Sequence, residues 1–66
     1  MENRLKVERA ILDITQDELA QRIGVSRQTI NSIEKGRYVP STVLALKLSE
    51  VFKKPVNEFF RLDDSD

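Results

Sequence analysis

Apolar positions recur along this chain with the period of a helix. Val7, Ala10, Ile11 and Ile14 lie at helical spacing near the start, with Leu5 and Leu12 on flanking faces. Leu19, Ala20 and Ile23 form a second stripe, Ile30 and Ile33 a third, and Leu44, Leu48, Val51 and Phe52 a fourth. Residues three or four apart share one face of an α-helix, so each set predicts a helix with one buried side. No stretch sustains period-two alternation, and no sheet is expected.

Glycine and proline mark where these helices stop and start. Gly24 and Gly36 close apolar-periodic stretches, and Pro40 and Pro55 stand just before new ones. Thr15-Gln16-Asp17-Glu18 reads as a capping box, in which the Thr15 hydroxyl and the Glu18 carboxylate each accept the other residue's backbone N–H. Asp17 and Glu18 also suit the positive end of a helix dipole. Ser26 is a good N-cap for a helix from Arg27 to Lys35, and Gly24 can take the positive φ that ends the helix before it. Five short helices result: about residues 3–12, a second beginning at Thr15, 27–35, 41–52, and a turn or two over about 55–60. The fold class expected is all-α.

The second and third helices carry the informative spacing. Counted from Gln16 as position one, Ala20 is fifth, Gly24 ninth, and Leu19, Ile23, Val25, Ile30 and Ile33 are fourth, eighth, tenth, fifteenth and eighteenth. Two short helices joined by a tight turn need a small residue where they approach, a glycine at the turn and apolar residues in the crossing. These positions meet the demands of a helix-turn-helix over about residues 16–35. With Ile30 and Ile33 facing inward, the outward stripe of the third helix is Arg27, Gln28, Asn31, Ser32 and Lys35. Arginine pairs well with guanine O6/N7, and glutamine or asparagine with adenine N6/N7.

The stretch from Thr15 to Gly36 closely resembles the lambda-repressor/Cro-type, or XRE-family, transcriptional regulators, and the resemblance extends from about Asn3 to Leu62. It implies a five-helix bundle, with Pro55-Val56-Asn57-Glu58-Phe59-Phe60-Arg61-Leu62 resembling the fifth helix, and a dimeric repressor that binds double-stranded DNA in the major groove. By position-for-position matching, Arg27, Gln28, Thr29 and Ser32 lie at the groove, with Ser26 at the start of the same helix and Asn31 on its outward stripe. Gln16, Arg37 and Tyr38 match positions against the phosphate backbone. The resemblance also implies a partly buried ion pair between Arg9 and Glu34, read as structural. The family often carries an apolar residue where Glu8 stands, charges at Ile11 and Leu12, and glycine at Asp13. The first helix is therefore either rotated or leaves Ile11 and Leu12 exposed. Phe59 and Phe60, as neighbours on a short helix, are not both expected to point inward. Such exposed apolar pairs suggest a homodimer built on the C-terminal helix, with helix one as a second element.

Composition narrows the chemistry. The 66 residues make one domain, assigned to residues 1–62 with an acidic tail at 63–66 that is expected to fray. There is no cysteine and no histidine, which excludes disulfides, thiolate metal sites and the usual general base. The serines lack a base, so no enzyme activity and no cofactor are expected. No apolar run approaches the ~20 residues of a membrane span, and a cytoplasmic protein is expected. The net charge is zero. Yet Arg22, Arg27, Lys35, Arg37 and Lys47 stand in the middle against Glu34 alone, while Glu58, Asp63, Asp64 and Asp66 crowd the end against Arg61. The local field at a contact face, not the total, governs binding to a polyanion. Lys53 and Lys54 are read as solvated. The alternative to a repressor is a module that holds a small protein partner, as an antitoxin holds its toxin.

Overall fold

The computed structural model describes residues 1–66. Four helices carry the fold: α1 (Leu5–Ile11), α2 (Gln16–Ile23), α3 (Arg27–Glu34) and α4 (Thr42–Phe52). Two short strands, β1 (Glu2–Asn3) and β2 (Phe60–Arg61), pair antiparallel, with Glu2 opposite Arg61 and Asn3 opposite Phe60.

The cap residues place the three central helices. Thr15 Oγ1 accepts the Glu18 N–H at 3.0 Å and the Glu18 carboxylate accepts the Thr15 N–H at 3.0 Å, completing the capping box. Ser26 and Ser41 cap α3 and α4 by accepting from the backbone of Thr29 and Leu44. One cluster of eleven side chains forms the core, drawn from all four helices and the C-terminal segment. Phe59 is fully buried in it and meets Phe52 edge to face, with ring centroids 5.0 Å apart.

The expected fifth helix is replaced by a single 3₁₀ turn, Val56–Glu58, followed by β2. The two phenylalanines explain the change. Adjacent residues on a helix diverge by about 100°, so one ring would stay in water. The chain instead leaves the turn at Phe59 and runs on as β2, with both rings buried and the backbone paired with β1. The Arg4 N–H, donating to the Phe59 carbonyl at 2.8 Å, continues that tie. The expectation of no sheet and of one exposed phenylalanine fails together with the fifth helix. Asp63 and Asp66 form a turn whose carboxylates contact the Met1 ammonium at 3.0 and 3.2 Å.

Helix α1 is rotated from the stripe expected for it. Its inner face is Leu5 and Glu8, whereas Val7, Ala10, Ile11 and Leu12 are exposed, Ile11 by 62%. Two ion pairs fix this rotation. Glu8, only 5% exposed, accepts from Lys54 Nζ at 2.9 Å, so Lys54 is tied down while Lys53 remains in solvent. Arg9 reaches Glu34 on α3 through two contacts, Nε–Oε2 at 2.8 Å and Nη2–Oε1 at 3.3 Å. After α1, Asp13 takes φ 54°, in the left-handed region that glycine adopts most readily.

These contacts set two expectations. Glu34→Ala strands Arg9 in a largely enclosed site and lowers stability by about 2–3 kcal/mol, whereas Glu8→Leu changes it by no more than about 1 kcal/mol, because Lys54 can turn to water. Chemical denaturation of both variants checks this contrast. The Thr15 N–H and hydroxyl hold the Glu18 carboxyl below its ordinary 4.5. A depressed carboxyl stabilises the fold above its unfolded value, and that contribution disappears as pH falls through the folded one. An NMR titration should therefore place the Glu18 midpoint below 4.5.

Candidate nucleic-acid interface

Helices α2 and α3 meet through Leu19, Ala20, Ile23, Ile30 and Ile33, all buried, with Val25 packed partly against them. Gly24 ends α2 at φ 74°, ψ 35°, and the Val25 N–H returns to the Ala20 carbonyl at 3.0 Å. A Cβ at Gly24 would meet nothing within 4 Å, so glycine is required by the backbone angle and not by crowding. Two residues later Ser26 caps α3. The turn is thus as short as the sequence spacing demands, and it fixes which side of α3 faces away from the core.

That outer side is polar and continuous. Arg27, Gln28, Lys35 and Arg37 are exposed, while Thr29, Asn31 and Ser32 are half-buried. Gly36, at φ 73°, reverses the chain after α3, and the Arg37 N–H donates to the Ser32 carbonyl at 2.9 Å. This folds Arg37 and Tyr38 back beside the helix, where they line a shallow depression with Ser26, Gln28, Thr29 and Ser32. A second depression is lined by Arg27, Gln28, Asn31 and Lys35. A third runs over the start of α2 and is lined by Arg9, Thr15, Gln16, Asp17 and Arg27. Gln28 joins the first to the second and Arg27 joins the second to the third. All nine residues singled out from the sequence therefore share one face.

Their chemical states differ. Ser26 and Thr29 are engaged with each other, since Ser26 Oγ accepts the Thr29 N–H at 3.2 Å and lies 3.0 Å from Thr29 Oγ1. Gln16 is not free at all: its Nε2 donates to Asn31 Oδ1 at 3.3 Å and to Glu34 Oε1 at 3.1 Å. Arg27, Gln28 and Arg37 have no side-chain partner, and they present guanidinium and amide groups to solvent. The one acid lining these depressions is Asp17. No acid occupies the first turn of α3, so the positive pole of that helix is left unneutralised at the same face.

Sequence spacing missed two parts of this arrangement. Arg9 edges the face while its Nη1 also donates to the Ile14 carbonyl at 3.0 Å. Its hydrogen bond to Glu34 raises the guanidinium above its ordinary value, so it stays cationic. The Gln16–Asn31–Glu34 link was invisible because its members lie fifteen and eighteen residues apart. No three residues capable of holding a metal ion come together, and no helix is long and apolar enough to cross a membrane.

Comparison with known proteins agrees with this geometry. The family model described as helix-turn-helix matches residues 5–59. An uncharacterized HTH-type transcriptional regulator of Methanocaldococcus jannaschii is 46% identical over 66 residues, covering the whole of both chains. One from Archaeoglobus fulgidus is 44% identical over 66 residues, all of this chain and 93% of the other. One from Bacillus subtilis is 41% identical, again over the whole of both. With its two-helix turn, its polar outer face and these relatives, the chain belongs to the XRE-type helix-turn-helix transcriptional regulators.

Proposed function

We propose that the protein is a sequence-specific, dimeric repressor in the cytoplasm that lays α3 in the major groove of an inverted-repeat site. The observation that carries this reading is the contiguous face around α3, on which Arg27 and Gln28 are exposed and unpaired while Ile30 and Ile33 anchor the opposite side. Arg27 suits the O6/N7 edge of guanine, and Gln28 the N6/N7 edge of adenine. Ser26, Thr29, Asn31 and Ser32 flank them along the groove. Arg37 and Tyr38 lie beside α3 where phosphates run, and such contacts set register without reading sequence.

A second copy has a surface to use. Val39, Val43 and Leu46 are exposed, Val39 by 62% and Val43 by 61%. Val39 and Leu46 line a shallow apolar groove with Met1, Ala45, Val56 and Phe60, and Val43 stands on the same helix as Leu46. A protomer measures 31 × 22 × 21 Å. Binding an inverted repeat requires a dimer that sets two α3 helices one DNA turn, ~34 Å, apart. The separate apolar strip on α1, Val7, Ile11 and Leu12, favours a second reading in which a small protein partner is held there.

Selection from a random duplex library at about 100 mM salt, where phosphate contacts alone bind weakly, tests the repressor reading. An enriched inverted repeat, lost on Arg27→Ala with Gln28→Ala, is the expected result. A folded protein that enriches nothing would reject it in favour of the protein partner. Sedimentation at tens of micromolar should show a dimer, and Val43→Glu should return it to monomer. A wild-type monomer would remove the inverted repeat from the proposal.

A further inference from the structure

Glu34, with its side chain only 7% exposed, is the acceptor at the centre of a small network. Its Oε2 takes a hydrogen bond from Arg9 Nε, and its Oε1 takes one from Arg9 Nη2 and another, at 3.1 Å, from Gln16 Nε2. The same Gln16 nitrogen donates to Asn31 Oδ1 at 3.3 Å. A carboxylate can only accept, so the Gln16 atom facing it must be the amide nitrogen. That nitrogen carries two protons, and both are spent inside the protein. What Gln16 has left is a carbonyl oxygen, which cannot bind a phosphate.

Gln16 then dictates the orientation of Asn31. With its carbonyl turned towards Gln16, the Asn31 Nδ2 keeps both protons and has no partner in the protein. No enclosed polar side-chain atom is left unpaired, so this nitrogen reaches solvent. Asn31 lines the depression with Arg27, Gln28 and Lys35, in the middle of the outer face.

We infer that Gln16 and Glu34 are positioning residues, which lock the Asn31 amide so that Asn31 meets DNA as a hydrogen-bond donor. The ligand chemistry is an acceptor atom: a phosphate oxygen, or a base acceptor such as guanine O6/N7. Arg9 serves the same lock by holding the Glu34 carboxylate in place. The inference rests on the DNA-binding reading and departs from the sequence-based assignment of Gln16 to the phosphate backbone.

The test is a binding cycle on the duplex enriched by the wild-type protein, using Gln16→Ala, Asn31→Ala and the double variant. A positioning role predicts that Gln16→Ala weakens binding about 5-fold with Asn31 present and less than about 2-fold with Ala at that position, since coupled residues are non-additive. Gln16→Ala keeps the Arg9–Glu34 pair, so the fold survives. Glu34→Gln preserves shape but admits either amide polarity, and it should repeat the pattern in affinity while shifting the melting temperature equally in both backgrounds. Equal losses from Gln16→Ala in the two backgrounds would identify a direct contact and overturn the inference, as would a neutral Asn31→Ala. Scanning the duplex locates the acceptor: a loss confined to one base pair marks a base edge, and a uniform loss marks a phosphate, both consistent with Asn31 as donor. If Arg27→Ala with Gln28→Ala abolishes binding while the cycle is additive, only this inference falls. If the wild-type protein enriches no duplex, both readings fall.

Discussion

The Glu34 carboxylate is the constraint on which the arrangement of helices depends. Removing a carboxylate from water costs several kcal/mol unless its lone pairs are filled by well-placed donors. Here they are filled from two directions, by Arg9 of α1 and by Gln16 at the first position of α2. Arg9 also donates to the Ile14 carbonyl, so the link between α1 and α2 is held by the same guanidinium. One charge near the end of α3 thereby fixes α1, the α1–α2 connection and the start of α2 relative to α3. In a chain of 66 residues, with a core of eleven side chains, apolar packing alone leaves such relationships loosely specified. The hydrogen-bonded charge supplies the orientation.

What could be read from the sequence follows from how local each signal is. The start and end of α2 were legible because Thr15, Glu18 and Gly24 act within one turn of where they stand. The face of α3 was legible because Ile30 and Ile33 leave one possible inner side. The rotation of α1 was legible only as one of two alternatives, because its apolar residues outnumber those that the core accepts. Of the deciding partners, Glu34 for Arg9 was implied by the family resemblance, whereas Lys54 for Glu8, 46 residues away, was not. The C-terminal segment misled for a related reason. Its composition suits a helix, but Phe59 and Phe60 are both buried where the 3₁₀ turn passes into β2, and the pairing with β1 that holds them there joins residues at opposite ends of the chain.

The same limit applied at the outer face. Residue type, spacing and the family resemblance singled out nine side chains that line adjoining depressions, but they said nothing about which of their polar atoms were already engaged. A glutamine read as exposed offers a donor and an acceptor. A glutamine against Glu34 offers only the acceptor. Recognition chemistry depends on what remains after the fold has taken its share of hydrogen bonds, and that remainder is a tertiary property.

Charge obeys the same accounting. The chain carries eleven acidic and eleven basic residues, which taken as a sum predicts indifference to a polyanion. Several acids are engaged within the fold: Glu34 by Arg9, Glu8 by Lys54, and Asp63 and Asp66 by the Met1 ammonium. The Ser65 hydroxyl and the Met1 ammonium hold Asp63 down at about 2, so this acid stays ionised and its charge stays at the terminal turn. Arg27, Lys35 and Arg37 have no acidic partner, and all three border the outer side of α3. These three leave uncompensated positive charge at the outer side of α3 in a molecule of zero net charge. In the proposed function a field of that kind would draw a phosphate backbone towards α3 and weaken with added salt, whereas the amides and guanidinium proposed to read base edges would keep that preference.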